Sequence, residues 1–180
     1  SVTDVAIVGC VLPDSVECGD VIPVRPQLRN AGTEYLSNFF TRLFINSTEV
    51  DSEDTDILSP GMTRSSAVAF DWTVPQSDVA QTYTLEVRID TQPGEAITTN
   101  NAVVRTYEVP PGRGQLSGVV YDESGVVPVE GAVVHAVSGT NCVASTTTGS
   151  TGTFLLDGVV AGNYQLVASD DGASKRVAGL

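Results

Sequence analysis

The sequence predicts an all-β protein, with two antiparallel β-sandwich domains in tandem joined by a short Pro/Gly linker. Apolar runs are short, and each ends at Gly, Pro, Asn or Asp. Apolar and polar residues alternate with the period of a strand, and no stretch keeps the period of a helix. The segment Pro110–Gly114 interrupts this pattern once. We therefore predict domains over residues 1–109 and 115–180, with the linker at 110–114.

Composition limits the classes of protein to consider. Hydrophobic residues make up 41% of the chain, and no apolar run approaches the length of about 18 residues that a membrane-spanning helix needs. The net charge is −13, from 22 acidic and 9 basic residues, and Lys175 is the single lysine. Such a surface repels nucleic acid and anionic membranes. We expect no nucleic-acid partner and no membrane insertion, and a charge that serves solubility or suits cationic partners.

In the first domain, strands are predicted near residues 3–12, 21–29, 38–46, 64–74, 82–90 and 102–109. The clearest alternation runs over 83–90, where every second residue is apolar. Trp72 falls on the predicted core side of its strand. Pro23 and Pro26 each remove a backbone donor from the second strand, which predicts an edge or bulged strand there.

The third strand presents aromatic residues on both of its faces. Phe39, Leu43 and Ile45 fit one face, which leaves Phe40 and Phe44 on the other. Two interpretations remain open for this outer pair. It forms a docking patch for a partner, or a loop of its own domain covers it.

The first domain resembles a known family. The motifs Asn30–Thr33 (NAGT), Leu58–Gly61 (LSPG), Phe70–Thr73 (FDWT) and Asn100-Asn101 follow one another in the order found in CARDB domains. These are Ig-like modules of bacterial and archaeal surface proteins. The resemblance covers residues 2–109 and implies an Ig-like sandwich. Asn100 and Asn101 are expected to bond local backbone at the entry to the last strand.

The second domain has a different signature. The runs Gly118–Gly125, Val129–Val134, Thr148–Phe154 and Gly158–Leu166 form short strands between glycines. Their order is similar to that of the carboxypeptidase regulatory-like and Cna-B-type β-sandwiches. Such modules serve as stalks, spacers or accessory domains, and the resemblance implies nothing catalytic.

The chain has three cysteines. Cys10 and Cys18 flank the predicted turn between the first two strands, and we predict a disulfide between them, which would add about 2–3 kcal/mol. A disulfide places the protein in an oxidising, extracellular compartment. The alternative is a pair of buried thiols in a reducing cell. Cys142 is left over, and we expect a small buried hydrophobic residue rather than a link to a neighbouring chain.

No catalytic constellation is visible. Nucleophilic catalysis needs a base beside the nucleophile, and His135 is the single histidine of the chain. Alternation from Ala132 to Val137 puts His135 on the same face as Val133 and Val137, and the resemblance of the second domain to its family implies that this face is the outer one. No known catalytic motif is present. We expect no enzyme.

We expect no cofactor, and calcium is the alternative. An acidic run, read as one loop, brings together carboxylates of the kind that calcium binds with six to eight oxygens; they belong to Asp51, Glu53, Asp54 and Asp56. The run lacks the spacing of an EF-hand, and a solvated loop is the simpler interpretation. Asp90 with Glu95 is a second candidate. Asn46-Ser47-Thr48 is an acceptor sequence for N-glycosylation, at Asn46.

Together these features predict a non-enzymatic extracellular protein of the cell surface. It acts as a spacer or as the repeating subunit of a fibre or stalk, and its partners are copies of itself or neighbouring surface-protein domains. The alternative is an accessory module of a larger secreted protein, binding a carbohydrate or protein ligand. A stacking platform for sugars exposes Trp and Tyr, so a buried Trp72 counts against the carbohydrate version.

Overall fold

The computed structural model describes residues 1–65 and 67–170, and the backbone of 173–176. Residue 66 of the predicted 64–74 strand, and 171–172 and 177–180 of the predicted second domain, lie outside the described residues. The chain divides into two compact units, Ser1–Pro110 and Pro111–Leu180. All regular secondary structure in the described part is strand, which confirms the all-β prediction.

The first unit is a sandwich of antiparallel strands. A four-stranded sheet, in the order β5-β4-β8-β9, faces the smaller sheets β1-β3-β6 and β2-β7. The strands are β1 (Val5–Gly9), β2 (Val21–Val24), β3 (Gln27–Asn30), β4 (Leu36–Ile45), β5 (Thr48–Leu58), β6 (Thr63–Arg64), β7 (Phe70–Thr73), β8 (Gln81–Ile89) and β9 (Ala102–Val109).

Alternate side chains of these strands fill the core of the first unit, because successive residues of a strand point to opposite faces. The largest completely buried side chains are Phe39, Phe70, Leu28, Leu43, Leu58, Leu85 and Ile89. Trp72 is buried as predicted, with its ring centroid 5.4 Å from that of Tyr83 and 6.3 Å from that of Tyr107. Burial of this size supplies the main stabilising term of the unit.

The predicted strand over 21–29 is two strands in different sheets. β2 pairs with β7, whereas β3 pairs with β1 and β6. Arg25 and Pro26 lie between them, and Pro26 has no N–H to continue the β2–β7 ladder. β2 is an edge strand, as Pro23 predicts.

An acidic segment predicted as a loop is the strand β5. It pairs with β4 along almost its whole length, from Leu36 opposite Leu58 to Ile45 opposite Thr48. Asn46 and Ser47 form the two-residue turn between the strands, and both have positive φ (49° and 66°). Two left-handed residues match the turn that right-twisted hairpins favour.

Asn30 joins the motif residues of the first unit into one network. Its side-chain amide donates to the carbonyls of Glu34 (2.7 Å) and Leu58 (2.9 Å) and accepts from the N–H of Gly32 (3.0 Å). The backbone carbonyl of Asn30 accepts from Gly61. A Cβ on Gly32 would collide with the carbonyl oxygen of Val2, so this close approach requires glycine. The motifs are therefore structural.

The second unit is a smaller sandwich with its own core. A sheet in the order β12-β11-β14-β15 faces the pair β10-β13. Its strands are β10 (Arg113–Val119), β11 (Val133–Ser138), β12 (Asn141–Thr147), β13 (Thr153–Val160), β14 (Gln165–Asp170) and β15 (Ala173–Arg176). β10 begins at Arg113, inside the segment predicted as linker. The core comprises Val120, Ala132, Val134, Ala136, Phe154, Leu156, Val159 and Ala168.

Candidate functional site

The outer face of β4 carries the predicted aromatic pair. Phe39 and Leu43 are buried between the sheets, so Phe40 and Phe44 point away from the core. Phe40 is 40% exposed. We call the surface formed by Phe40, Arg42, Phe44 and Arg88 the Phe–Arg face.

Arginine side chains lie against these rings. The guanidinium carbon of Arg88, on the neighbouring strand β8, is 4.4 Å from the ring centroid of Phe44. That of Arg42 is 5.1 Å from the ring centroid of Phe40. Cation–π contacts of this length are favourable at exposed sites by about 0.5–1 kcal/mol. Sequence alternation places the phenylalanines outside and Arg42 on the same face as Phe40, but Arg88 comes to Phe44 through the register of β4 and β8.

Two carboxylates hold Arg42 in place. Its Nε donates to Asp90 (2.8 Å) and its Nη1 to Glu49 (3.1 Å), and Nη2 donates to Asp90 as well. The hydrogen bonds that Arg42 donates to Asp90 are the main cause that raises the pKa of Arg42 above its usual value. Asp90, predicted as a calcium ligand, therefore serves as the partner of an arginine.

Glu95, the other residue of that second calcium candidate, ties β1 to the loop between β8 and β9. One of its carboxylate oxygens accepts from the N–H of Val5 (2.9 Å). The other accepts from the N–H of Gln92 (2.9 Å) and the amide of Asn101 (3.0 Å). The side chain of Asn100 donates to Asp4 (3.0 Å). The side chains of Asn100 and Asn101 therefore donate to acidic side chains, whereas the sequence predicted hydrogen bonds to the local backbone.

The acidic run lies on β5, so its loop placement was wrong. Successive residues point to opposite faces of a strand, which separates Asp51 and Glu53 from Asp54 and Asp56. Glu53 accepts from the N–H of Ala69 (3.2 Å) across the sandwich. Within the described residues, no three acidic, cysteine or histidine side chains are placed to hold a metal ion. That the chain has no cofactor, with calcium as the alternative, stays a prediction.

Cys10 and Cys18 are free thiols, so the predicted bridge is not formed in the structure. The backbone N–H of Arg25, just after β2, bonds Cys10. Cys18 lies before β2 and donates to the carbonyl of Pro110 (3.4 Å). β1 and β2 belong to different sheets, so the segment between the cysteines is not a hairpin turn. Burial raises the pKa of Cys10, with the Arg25 bond opposing it.

Asn46, the predicted glycosylation site, is exposed at the tip of the β4–β5 hairpin. Its side-chain oxygen accepts from the N–H of Thr84 (2.8 Å), and its own N–H donates to the carbonyl of Thr84 (2.9 Å). These bonds give Asn46 a structural role in the turn. Glycosylation stays a prediction.

A groove that sequence reasoning missed lies beside the edge strand β2. It has a volume of about 430 Å³ and is lined mainly by apolar side chains, among them Val11, Leu12, Val21 and Ile22. Val11 is 92% exposed. No periodic signal marks the segment between β1 and β2, so its apolar residues could not be assigned to a surface from the sequence.

The second unit contains a pair of reactive side chains on its outer face. Cys142 lies on β12 with its Sγ 3.4 Å from Nδ1 of His135 on β11. His135 faces outward, as the family resemblance implies, because Val134 and Ala136 on either side of it are buried. Cys142 is exposed. The prediction of a buried Cys142 was wrong.

The two units therefore define a tandem β-sandwich protein whose polar side chains serve mainly to join strands and turns. The chain belongs to the CARDB family, whose model matches residues 2–105. Residues 115–179 match the carboxypeptidase regulatory-like domain. Both are non-catalytic modules, and the matches include no catalytic family. No curated protein matches the chain.

Solved structures similar to the first unit include the CARDB domain of a Pyrococcus furiosus protein. Its solution structure is 22% identical and covers 61% of this chain and 96% of that one, with a TM-score of 0.51. A crystal structure of that domain, in complex with di-metal ions, is 21% identical, covers 60% and 94%, and has a TM-score of 0.50. A domain of a putative cell surface protein from Methanosarcina acetivorans is 19% identical over 61% and 93%, with a TM-score of 0.42. The two Pyrococcus furiosus structures show the fold of the first unit.

The described residues contain no helix of the length and apolarity that a membrane crossing requires.

Proposed function

We propose that this chain is a structural or adhesive module of the cell surface, a spacer or the repeating subunit of an extracellular fibre or stalk. The observation that carries the proposal is that each of the two units buries its own apolar core. A body with its own core keeps its dimensions without a ligand or a partner. Membership of the CARDB family supports the surface location.

Strand edges offer the route by which copies would join. β12 is an edge of the four-stranded sheet in the second unit. Its seven residues include no charged residue and no proline, which are the common guards of an exposed edge. A strand from a neighbouring copy can add to such an edge through backbone hydrogen bonds.

Sedimentation and electron microscopy of the purified protein test the proposal. We expect concentration-dependent assembly that strengthens with salt, because the net charge of −13 opposes contact between copies. Thr147→Lys puts a charge on the edge strand. Ser169→Lys is the matched control, since Thr147 and Ser169 flank the same residue, Val133, from the edge strand and from the interior strand β14.

Assembly that Thr147→Lys abolishes and Ser169→Lys keeps would support the edge contact. Uniform monomers of the wild type at every salt, calcium and protein concentration would contradict the repeating-subunit role. Assembly that both variants keep would show that the contact between copies lies on a surface other than the β12 edge.

The Phe–Arg face favours a second candidate function, that of an accessory module which binds a ligand for a larger secreted protein. Phe40 is the exposed aromatic of this face, whereas Trp72 is buried and is no platform for a sugar. Arrays of glycans and of surface proteins would detect such a ligand. Binding lost in Phe40→Ala would support this function, and binding unchanged in that variant would contradict a role of this face.

A further inference from the structure

The thiol–imidazole pair on the second unit has no part in the proposed function. Cys142 is exposed, and its Sγ lies 3.4 Å from His135 Nδ1 and 3.5 Å from the carbonyl oxygen of Ala144. A histidine at this distance is placed to accept the proton of the thiol. The thiolate is the nucleophilic form of cysteine.

A β-bulge creates this pair. Ala136 pairs with Ala144, but the register then shifts so that Val137 pairs with Cys142. In a regular ladder Cys142 would lie opposite Ser138, on the side of the sheet where Ala136 is buried. The extra residue turns Cys142 to the face that carries His135. Bulges commonly re-aim side chains in this way at functional positions.

Other side chains near the pair are mostly uncharged. On the same face, His135 lies between Ser145 of β12 and Val167 of β14 in the ladder. β15 follows β14 in the sheet and carries Lys175 and Arg176. Three described side chains of β11, β12 and β14 titrate, and they are His135, Cys142 and Asp170. Asp170 is the last residue of β14 and lies on the opposite face of the sheet from Val167.

We propose that Cys142 is an attachment site that exchanges with aliphatic disulfides, with His135 as its proton acceptor. The Cys142 thiol gives its proton to His135 Nδ1, and the thiolate attacks one sulfur of a disulfide RSSR. A bond forms between Cys142 Sγ and that sulfur while the S–S bond of RSSR breaks. The leaving thiolate RS⁻ takes the proton from His135 and departs as RSH. The disulfide supplied to the reaction is the oxidant.

The sulfur that bonds to Cys142 can come from a small disulfide or from Cys142 of a second copy. A small disulfide leaves Cys142 as a mixed disulfide. The thiolate of Cys142 in a second copy can attack that mixed disulfide in turn, which releases RSH and leaves two copies joined. Intact mass distinguishes these products, because one is a monomer with an adduct and the other is a dimer.

Rates of modification by cystine and by glutathione disulfide test the proposal. The folded protein is quenched at intervals, and peptide mapping by mass spectrometry measures modification of Cys142 separately from Cys10 and Cys18. An unassisted thiol is only a few per cent ionised at neutral pH, so we expect His135→Gln to slow modification at pH 7 by about tenfold. Ser145→Ala is the control. It removes the hydroxyl of the residue opposite His135, and it should react as the wild type does.

The unfolded chain gives a further readout, because denaturant should remove the difference between the rates of the wild type and of His135→Gln. Equal rates for the two folded proteins would overturn the proposal. So would a wild-type rate no faster folded than unfolded, and this comparison needs no variant that has to fold.

Discussion

A buried, fully bonded amide such as that of Asn30 matters more to stability than an exposed ion pair, which contributes about 0–1 kcal/mol. Asn30 is completely buried, and each polar atom of its side chain has a hydrogen-bond partner. Buried polar groups that lose a partner cost about 1–3 kcal/mol each. The motif that marks the family in the sequence is therefore the point at which three backbone segments are joined.

Asn30→Ala should lower the free energy of unfolding by about 1–3 kcal/mol, because the buried carbonyl of Leu58 loses the hydrogen bond from the Asn30 amide. Urea unfolding measures the change. Asn30→Asp keeps the shape of the side chain but loses the amide donors, so a loss of similar direction is expected. The exposed Asn141 supplies the control, with a change within about 0.5 kcal/mol for Asn141→Ala. A stability of Asn30→Ala equal to that of the wild type would refute the structural role.

Alkaline pH should destabilise the protein through Tyr107. Burial raises the pKa of Tyr107, although the charge of Arg105 opposes this shift. The neutral hydroxyl donates to the carbonyl of Pro13 (3.2 Å). A pKa raised in the folded state means that stability is complete below the unfolded pKa of about 10 and falls as pH rises through the folded value.

Thermal unfolding between pH 7 and pH 11 measures this effect. Tyr107→Phe should cost about 1 kcal/mol at pH 7 for the lost hydrogen bond, and its Tm should fall less steeply above pH 10 than that of the wild type. Tyr35→Phe, at an exposed tyrosine, should follow the wild type. Identical slopes for Tyr107→Phe and the wild type would show that Tyr107 does not cause the loss.

At the scale of single elements, the largest difference from the sequence prediction is β5, a strand where a loop was predicted. Aspartate is depleted in strands, and the acidic run therefore indicated a loop. Pairing with β4 overrides that preference, and its signal in the sequence is the Asn46-Ser47 pair, whose left-handed conformations close a hairpin. Strands β4 and β8, with regular alternation, were predictable from the period of their apolar residues.

The strand geometry of β5 leads to a prediction about calcium. Because its carboxylates lie on two faces, calcium at about 5 mM should raise the Tm no more than magnesium does at the same concentration. Asp54→Asn combined with Asp56→Asn should respond to both ions as the wild type does. A rise that is specific to calcium, and that this double variant loses, would instead establish a calcium site on β5.

For the whole molecule, the two-domain all-β architecture follows from local signals because both kinds of sandwich are built from short alternating strands. The order of the turn motifs along the sequence likewise indicates both families. What no local pattern could supply is cross-strand register. Register covers Phe44 with Arg88, and a one-residue bulge brings Cys142 to His135. Pairs of this kind depend on residues far apart in sequence or on a single shift in the ladder.

Glu95 has a mechanical consequence in the proposed role of a spacer or fibre subunit, in which the chain would bear tension. Its carboxylate holds the N–H of Val5 at the start of β1 and, at the same time, the loop that precedes β9. A pull that enters along the residues before β1 is thus shared between the backbone ladder to β3 and this loop, 90 positions further along the chain. Separating β1 from the unit would require the β1–β3 ladder and the hydrogen bonds of Glu95 to break together. The Glu95 carboxylate would therefore raise the force needed to unfold the first strand.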